Sequence, residues 1–118
     1  MTSPIKILFV CGQNNRRSLT AEKIFKSSRR ISARAAGLSD TSKHRINESD
    51  LAWADLILVM ERKYASRIRD NFSHLESLPP IECLDISDEY IFMQAELIEI
   101  LRSSVAQVLE ELEPEPDA

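Results

Sequence analysis

Read along the chain, apolar and polar positions fall into two alternating patterns. Residues 5–10 (IKILFV) form a short apolar run with β-branched and aromatic members, the signature of a strand buried on both faces. It stops at Cys11-Gly12, and Leu19 to Lys26 then places Ala21, Ile24, Phe25 and Ser28 on one helical face. A second strand is predicted over Ile31 to Leu38. A polar loop follows to Asn47, whose side chain suits a helix N-cap, with Asp50 in the first turn. Leu56 to Met60 (LILVM) reads as a third buried strand, and Tyr64, Ile68 and Phe72 at four-residue intervals as the next helix. Pro79-Pro80 precedes a shorter strand over Ile81 to Ile86. Leu97, Ile98, Leu101, Val105, Val108, Leu109 and Leu112 make one apolar stripe, which predicts a long final helix.

Strands that alternate with helices imply a parallel sheet with right-handed crossovers. The expected fold class is α/β: a four-stranded parallel sheet, doubly wound, in a flavodoxin-like three-layer α/β/α arrangement. Residues 1–112 are expected to form one domain and residues 113–118 (EPEPDA) a disordered acidic tail. The active site is expected at the carboxyl end of the first strand, where strand order should reverse.

At 118 residues the chain has room for one domain and a packed core, with 43% hydrophobic and 29% charged residues. The longest apolar runs span five residues, too short for the roughly 20 of a membrane helix. The first six residues do not resemble a secretory signal, so a cytoplasmic location and no membrane partner are expected. Two cysteines exclude a disulfide framework. Charge is unevenly placed: residues 1–46 carry ten basic side chains against two acidic ones, residues 47–118 five against seventeen. A basic half can concentrate an anionic substrate.

The segment VCGQNNRRSLTAE, residues 10–22, carries the chemistry. Cys11 is followed six positions later by Arg17 and then by Ser18. A five-residue loop between a strand and a helix can curl round one tetrahedral anion, its N–H groups pointing inward and the helix N-terminus adding positive charge. A cysteine at the start of such a loop sits in a field that favours its thiolate. An arginine at its end offers a planar fork to phosphate oxygens. Ser18 can donate a hydrogen bond to the sulfur as it leaves.

Cys11, Asn14, Arg17 and Ser18 match the CxxNxxRS loop of the low-molecular-weight protein tyrosine phosphatases, and the chain resembles a short, divergent member of that family. Residues 46–60 (INESDLAWADLILVM) are similar to the family's helix and third strand, and Asp88-Glu89-Tyr90 to its Asp-Pro-Tyr acid loop. The resemblance implies Cys11 as nucleophile, Arg17 as phosphate clamp and Asp88 as general acid. It also implies substrate contacts from Gly12, Gln13, Asn14, Asn15, Arg16, Ser18 and Tyr90, with Asn14 holding the loop shape and Tyr90 lining the pocket mouth. Gln13 stands where the family has glycine, Arg16 where an apolar residue or a second cysteine is common, and Glu89 where proline is usual.

The expected function is metal-free, cofactor-free phosphomonoester hydrolysis through a phosphocysteine, on a phosphoprotein or small aryl phosphate. Three other readings remain open at this point: a nucleotide or RNA-end phosphatase with the same mechanism, an arsenate reductase-like redox enzyme, and a non-catalytic phosphate-binding module. Asp85 rivals Asp88 as the acid. Cys83 is read as core packing, His44 and His74 as surface residues, and Trp53 as core or partner surface. Oligomeric state is not legible in the sequence.

Overall fold

A computed structural model of the chain describes residues 3–12 and 16–112. Gln13, Asn14, Asn15 and the acidic tail lie outside the described residues. Strand β1 spans Ile5–Cys11, helix α1 Arg17–Ile24, β2 Ile31–Gly37, α2 Glu48–Trp53, β3 Leu56–Val59, α3 Arg62–Asn71, β4 Ile81–Cys83 and α4 Ala95–Leu112. All pairings are parallel and the order is β2-β1-β3-β4, the four-stranded sheet the alternation predicts.

The apolar runs are strands because both of their faces are covered. Ile7, Leu8, Phe9 and Val10 are wholly buried, as are Ile57, Leu58 and Val59. Right-handed crossovers from β1 to β2 and from β2 across to β3 put α1 on one face of the sheet and α2 and α3 on the other. Helix α4 packs against α1, closing the first face. Its buried residues are Leu97, Leu101, Val105 and Leu109, one per turn, and the predicted stripe ends there, since Leu112 is exposed. Each fully buried leucine or valine in that row contributes roughly 1.5–3 kcal/mol.

Asn47 caps α2 as predicted, in a reciprocal arrangement. Its Oδ1 accepts from the Asp50 backbone N–H at 3.0 Å, and Asp50 Oδ2 accepts from the Asn47 N–H at 3.0 Å. Helix α1 departs from its predicted form: it begins two residues earlier, at Arg17, and buries Arg17, Ser18 and Thr20 along with Ala21. Phe25 lies just past its end, stacked on Phe9 with ring centroids 5.8 Å apart. Ser28, expected on the helical face, lies beyond the helix and its hydroxyl accepts from the Arg30 and Ile31 N–H groups.

The fourth strand, expected over Ile81 to Ile86, ends at Cys83. Asp85 takes a left-handed backbone conformation, φ 54°, which breaks the extended run. The chain stays close to β3 beyond that point, because Ile86 N–H still donates to the Met60 carbonyl at 2.9 Å. Among the described residues no helix is long and apolar enough to cross a membrane.

Candidate active site

Strand β1 lies between β2 and β3, and the connections from those neighbours leave on opposite faces, so a crevice opens at its carboxyl end. Cys11 is the last residue of β1 and is buried. Gly12 turns the chain out of the sheet. Its carbonyl accepts from the Leu38 N–H at 2.9 Å and the Ser39 N–H at 2.7 Å, which fastens the cradle entrance to the segment after β2. The Ser42 hydroxyl adds a longer contact at 3.4 Å.

Cys11 Sγ and Ser18 Oγ are 2.9 Å apart, in hydrogen-bond contact within the interior. Ser18 reaches the sulfur because α1 starts one residue before it and aims its first turn back at the end of β1. A hydroxyl in this place can donate to a thiolate, which is the role the spacing predicts.

Arg17 is only 4% exposed. Its Nη1 donates to Glu61 Oε2 at 2.7 Å and to the Ile86 carbonyl at 2.6 Å, committing both N–H groups of that nitrogen to protein. Nη2 donates to the Tyr64 hydroxyl at 3.3 Å and lies 3.8 Å from Asp88 Oδ1. Burial disfavours the guanidinium charge, but the hydrogen bonds to Glu61 and Tyr64, with the Asp88 carboxylate nearby, outweigh it and raise the pKa above the usual arginine value. Glu61 mirrors this: burial pushes its pKa up, yet Arg17, then Tyr64 and Lys63, hold it below the ordinary carboxylate value.

Asp88 faces both arginines, 3.4 Å from Arg16 Nη2 and 3.8 Å from Arg17 Nη2, and its carboxylate is more than half exposed. Asp85 instead accepts from the Cys83 thiol at 3.5 Å. The segment that carries Asp88 is tied to α1 through Thr20, which is fully buried. Thr20 Oγ1 donates to the Arg16 carbonyl at 2.6 Å and accepts from the Met93 N–H at 3.0 Å. Tyr90 is half-buried against the core. Of the residues singled out in the sequence, Cys11, Gly12, Arg16, Arg17, Ser18 and Asp88 gather at one end of β1. Gln13, Asn14 and Asn15 lie outside the described residues.

Glu61 and Tyr64 are the site residues that sequence reasoning missed. Tyr64 stands in the four-residue spacing that predicts α3, a pattern that carries no information about its hydroxyl. The available signal was Glu61, an acidic residue directly after a buried parallel strand, where side chains line the crevice.

The other flagged residues sit elsewhere. His44 and His74 are exposed as expected, but His44 Nε2 lies 2.8 Å from the buried Asp50 carboxylate, which also pairs with Arg34 at 3.2 Å. Arg34 in turn stacks over the Trp53 ring at 4.1 Å. Cys83 is half-buried against the core, and that burial pushes its thiol pKa up.

No family model and no curated protein matches the sequence. Solved structures do. YwlE arginine phosphatase from Geobacillus stearothermophilus is 20% identical with a TM-score of 0.67, over 98% of this chain and 100% of that one. SP-PTP, a low molecular weight protein tyrosine phosphatase from Streptococcus pyogenes, is 19% identical with a TM-score of 0.69, over 92% and 93%. The drosophila arginine phosphatase DARP is 16% identical with a TM-score of 0.67, over 96% and 100%. What these structures share with the present one is architecture from end to end, and the chain is therefore built on the fold of the low-molecular-weight phosphatases.

Proposed function

We propose that the protein is a cysteine-dependent phosphomonoester hydrolase acting through a phosphocysteine. The observation that carries this reading is the Cys11–Ser18 contact at 2.9 Å beside a buried arginine whose Nη1 is fully engaged by Glu61 and Ile86. That anchoring leaves Nε and the second N–H of Nη2 as the donors that could meet an oxyanion. A phosphate on the cradle would meet them in the bidentate geometry that favours arginine over lysine.

In the first step the Cys11 thiolate attacks phosphorus. A P–S bond forms, the P–O bond to the leaving group breaks, and Asp88 gives its proton to the departing oxygen. In the second step Asp88 takes a proton from water, the water oxygen attacks phosphorus, and the P–S bond breaks to release inorganic phosphate and the thiolate. Ser18 donates to the sulfur as its charge returns. Arg17 holds the equatorial oxygens in both steps, where their charge is greatest in the transition state.

The substrate class we favour is a phosphotyrosine protein or another aryl phosphate. The names of two similar structures make phosphoarginine the second candidate, since the same attack on phosphorus serves a P–N bond. Arsenate reduction fits less well. It needs a further thiol near the first, and Cys83 pairs with Val59, itself the partner of Val10, so it stands two strands from the end of β1. Two strand spacings are roughly 10 Å, beyond the reach of a disulfide.

The test is a panel of phosphotyrosine peptide, phosphoarginine, phosphoserine peptide, a nucleotide and a 5′-phosphorylated RNA, with wild type and Cys11→Ser. The aryl phosphate should be turned over by wild type, and Cys11→Ser should lose the activity while staying folded. A folded Cys11→Ser that keeps more than about a tenth of the rate would be evidence against the nucleophile, because thiolate attack is the step the reading requires.

A further inference from the structure

Gly12 follows the proposed nucleophile, and its backbone does not lie in the left-handed region where glycine is favoured. What its missing side chain provides is space. A Cβ at position 12 would stand 2.9 Å from the Tyr64 hydroxyl oxygen and 3.4 Å from Cζ of the same ring. The first distance is an overlap and the second an ordinary tight contact. A side chain at 12 therefore requires the Tyr64 hydroxyl to move from its place beside Arg17.

Tyr64 fills that space from the first turn of α3 and is 5% exposed. Its hydroxyl donates to Glu61 Oε2 at 3.1 Å and accepts from Arg17 Nη2 at 3.3 Å, so its proton and one lone pair both serve the arginine's surroundings. The two bonds of Nη1 already set the plane of the guanidinium. The Tyr64 hydroxyl adds a third anchor at Nη2.

We infer that Tyr64, paired with Gly12, is a positioning residue for the oxyanion site, holding Nη2 of the Arg17 guanidinium in place and forming the wall beneath the cradle entrance. The inference rests on the reading of Cys11 to Arg17 as a phosphate cradle. It adds that position 64 governs how well the cradle binds an oxyanion, although Tyr64 need not touch the substrate.

The experiment is a double-mutant cycle of Gly12→Ala and Tyr64→Phe, read by vanadate titration calorimetry, by kcat and KM for an aryl phosphate, and by thermal melting. Tyr64→Phe should weaken vanadate binding and lower kcat/KM together by about tenfold, the scale of a lost hydrogen bond to a charged group. Its melting temperature should fall by no more than a few degrees, leaving the variant folded at the assay temperature. Gly12→Ala should cost about a hundredfold, and the double variant should regain roughly tenfold over Gly12→Ala alone, because removal of the hydroxyl opens the space the new methyl needs. Losses that multiply with no regain would overturn the pairing. If Gly12→Ala does not fold, Tyr64→Phe decides alone, and vanadate affinity within twofold of wild type would overturn the positioning role. A wild type that binds no vanadate at all would overturn the phosphatase reading and this one together, whereas a wild type that binds it normally confines any failure to Tyr64.

Discussion

Glu61→Gln removes the negative charge that faces Arg17 at 2.7 Å while keeping the shape of the side chain and one acceptor oxygen. Stripping a partner from a fully buried ion pair costs about 3–5 kcal/mol, and from an exposed pair about 0.2–1 kcal/mol. This pair is mixed, with Arg17 4% exposed and Glu61 30% exposed, and Arg17 keeps the Ile86 carbonyl and the Tyr64 hydroxyl. A loss of about 2 kcal/mol at neutral pH follows, which for a chain of this size is about 8 °C in Tm. The loss should depend on pH in one direction. Because the Glu61 carboxyl is held below its usual pKa in the folded state, it takes up its proton at lower pH there than in the unfolded chain. The stability it contributes is complete above the unfolded value of about 4.3 and disappears as pH falls through the folded one. Urea unfolding of wild type and Glu61→Gln from pH 7 down to about pH 2.5, below the usual carboxylate range, checks this. Equal stabilities at pH 7, or a gap that stays constant into acid, would refute the role assigned to the pair.

The two candidate acids separate by leaving group. Asp88→Asn should lower kcat strongly for phenyl phosphate, by roughly 10² to 10⁴ as general-acid assistance is lost, and less for nitrophenyl phosphate. Asp85→Asn should show no such dependence, and the reverse pattern would move the acid to Asp85. Arg16→Ala should raise KM more for substrates with a second anionic group than for a simple aryl phosphate, since Arg16 stands at the exposed rim 3.4 Å from Asp88. Equal effects would leave it a partner of Asp88 only.

The strand-loop-helix unit was legible because its parts are local. Residues 5–10 announce a buried strand, and Cys11, Arg17 and Ser18 lie within eight positions of one another. The parallel character of the sheet followed from strand and helix alternation. The surroundings of Arg17 were not legible, because they come from contacts 44, 47 and 69 residues away in sequence. Such contacts exist only once β1, β3 and β4 stand side by side. Fourth-strand length failed for a related reason: Leu84 and Ile86 are apolar and read as strand, yet Asp85 between them turns left-handed. Tyr64 satisfied two patterns at once. Its helical spacing is that of a core residue, while its hydroxyl serves the site, and a hydrophobicity pattern records only the first.

Thr20 joins the Arg16 carbonyl to the Met93 N–H, 73 residues further along. With the Arg17–Ile86 bond, it means that the candidate site written in the first twenty residues is finished only by the chain between 86 and 93. During synthesis the strand and its cysteine leave the ribosome early, but their arginine has no carbonyl to grip until most of the protein has followed. Premature release before that stretch would therefore yield a thiol without a working cradle. If the proposed function holds, fragments ending short of residue 86 should carry no activity, because Arg17 then lacks the Ile86 carbonyl.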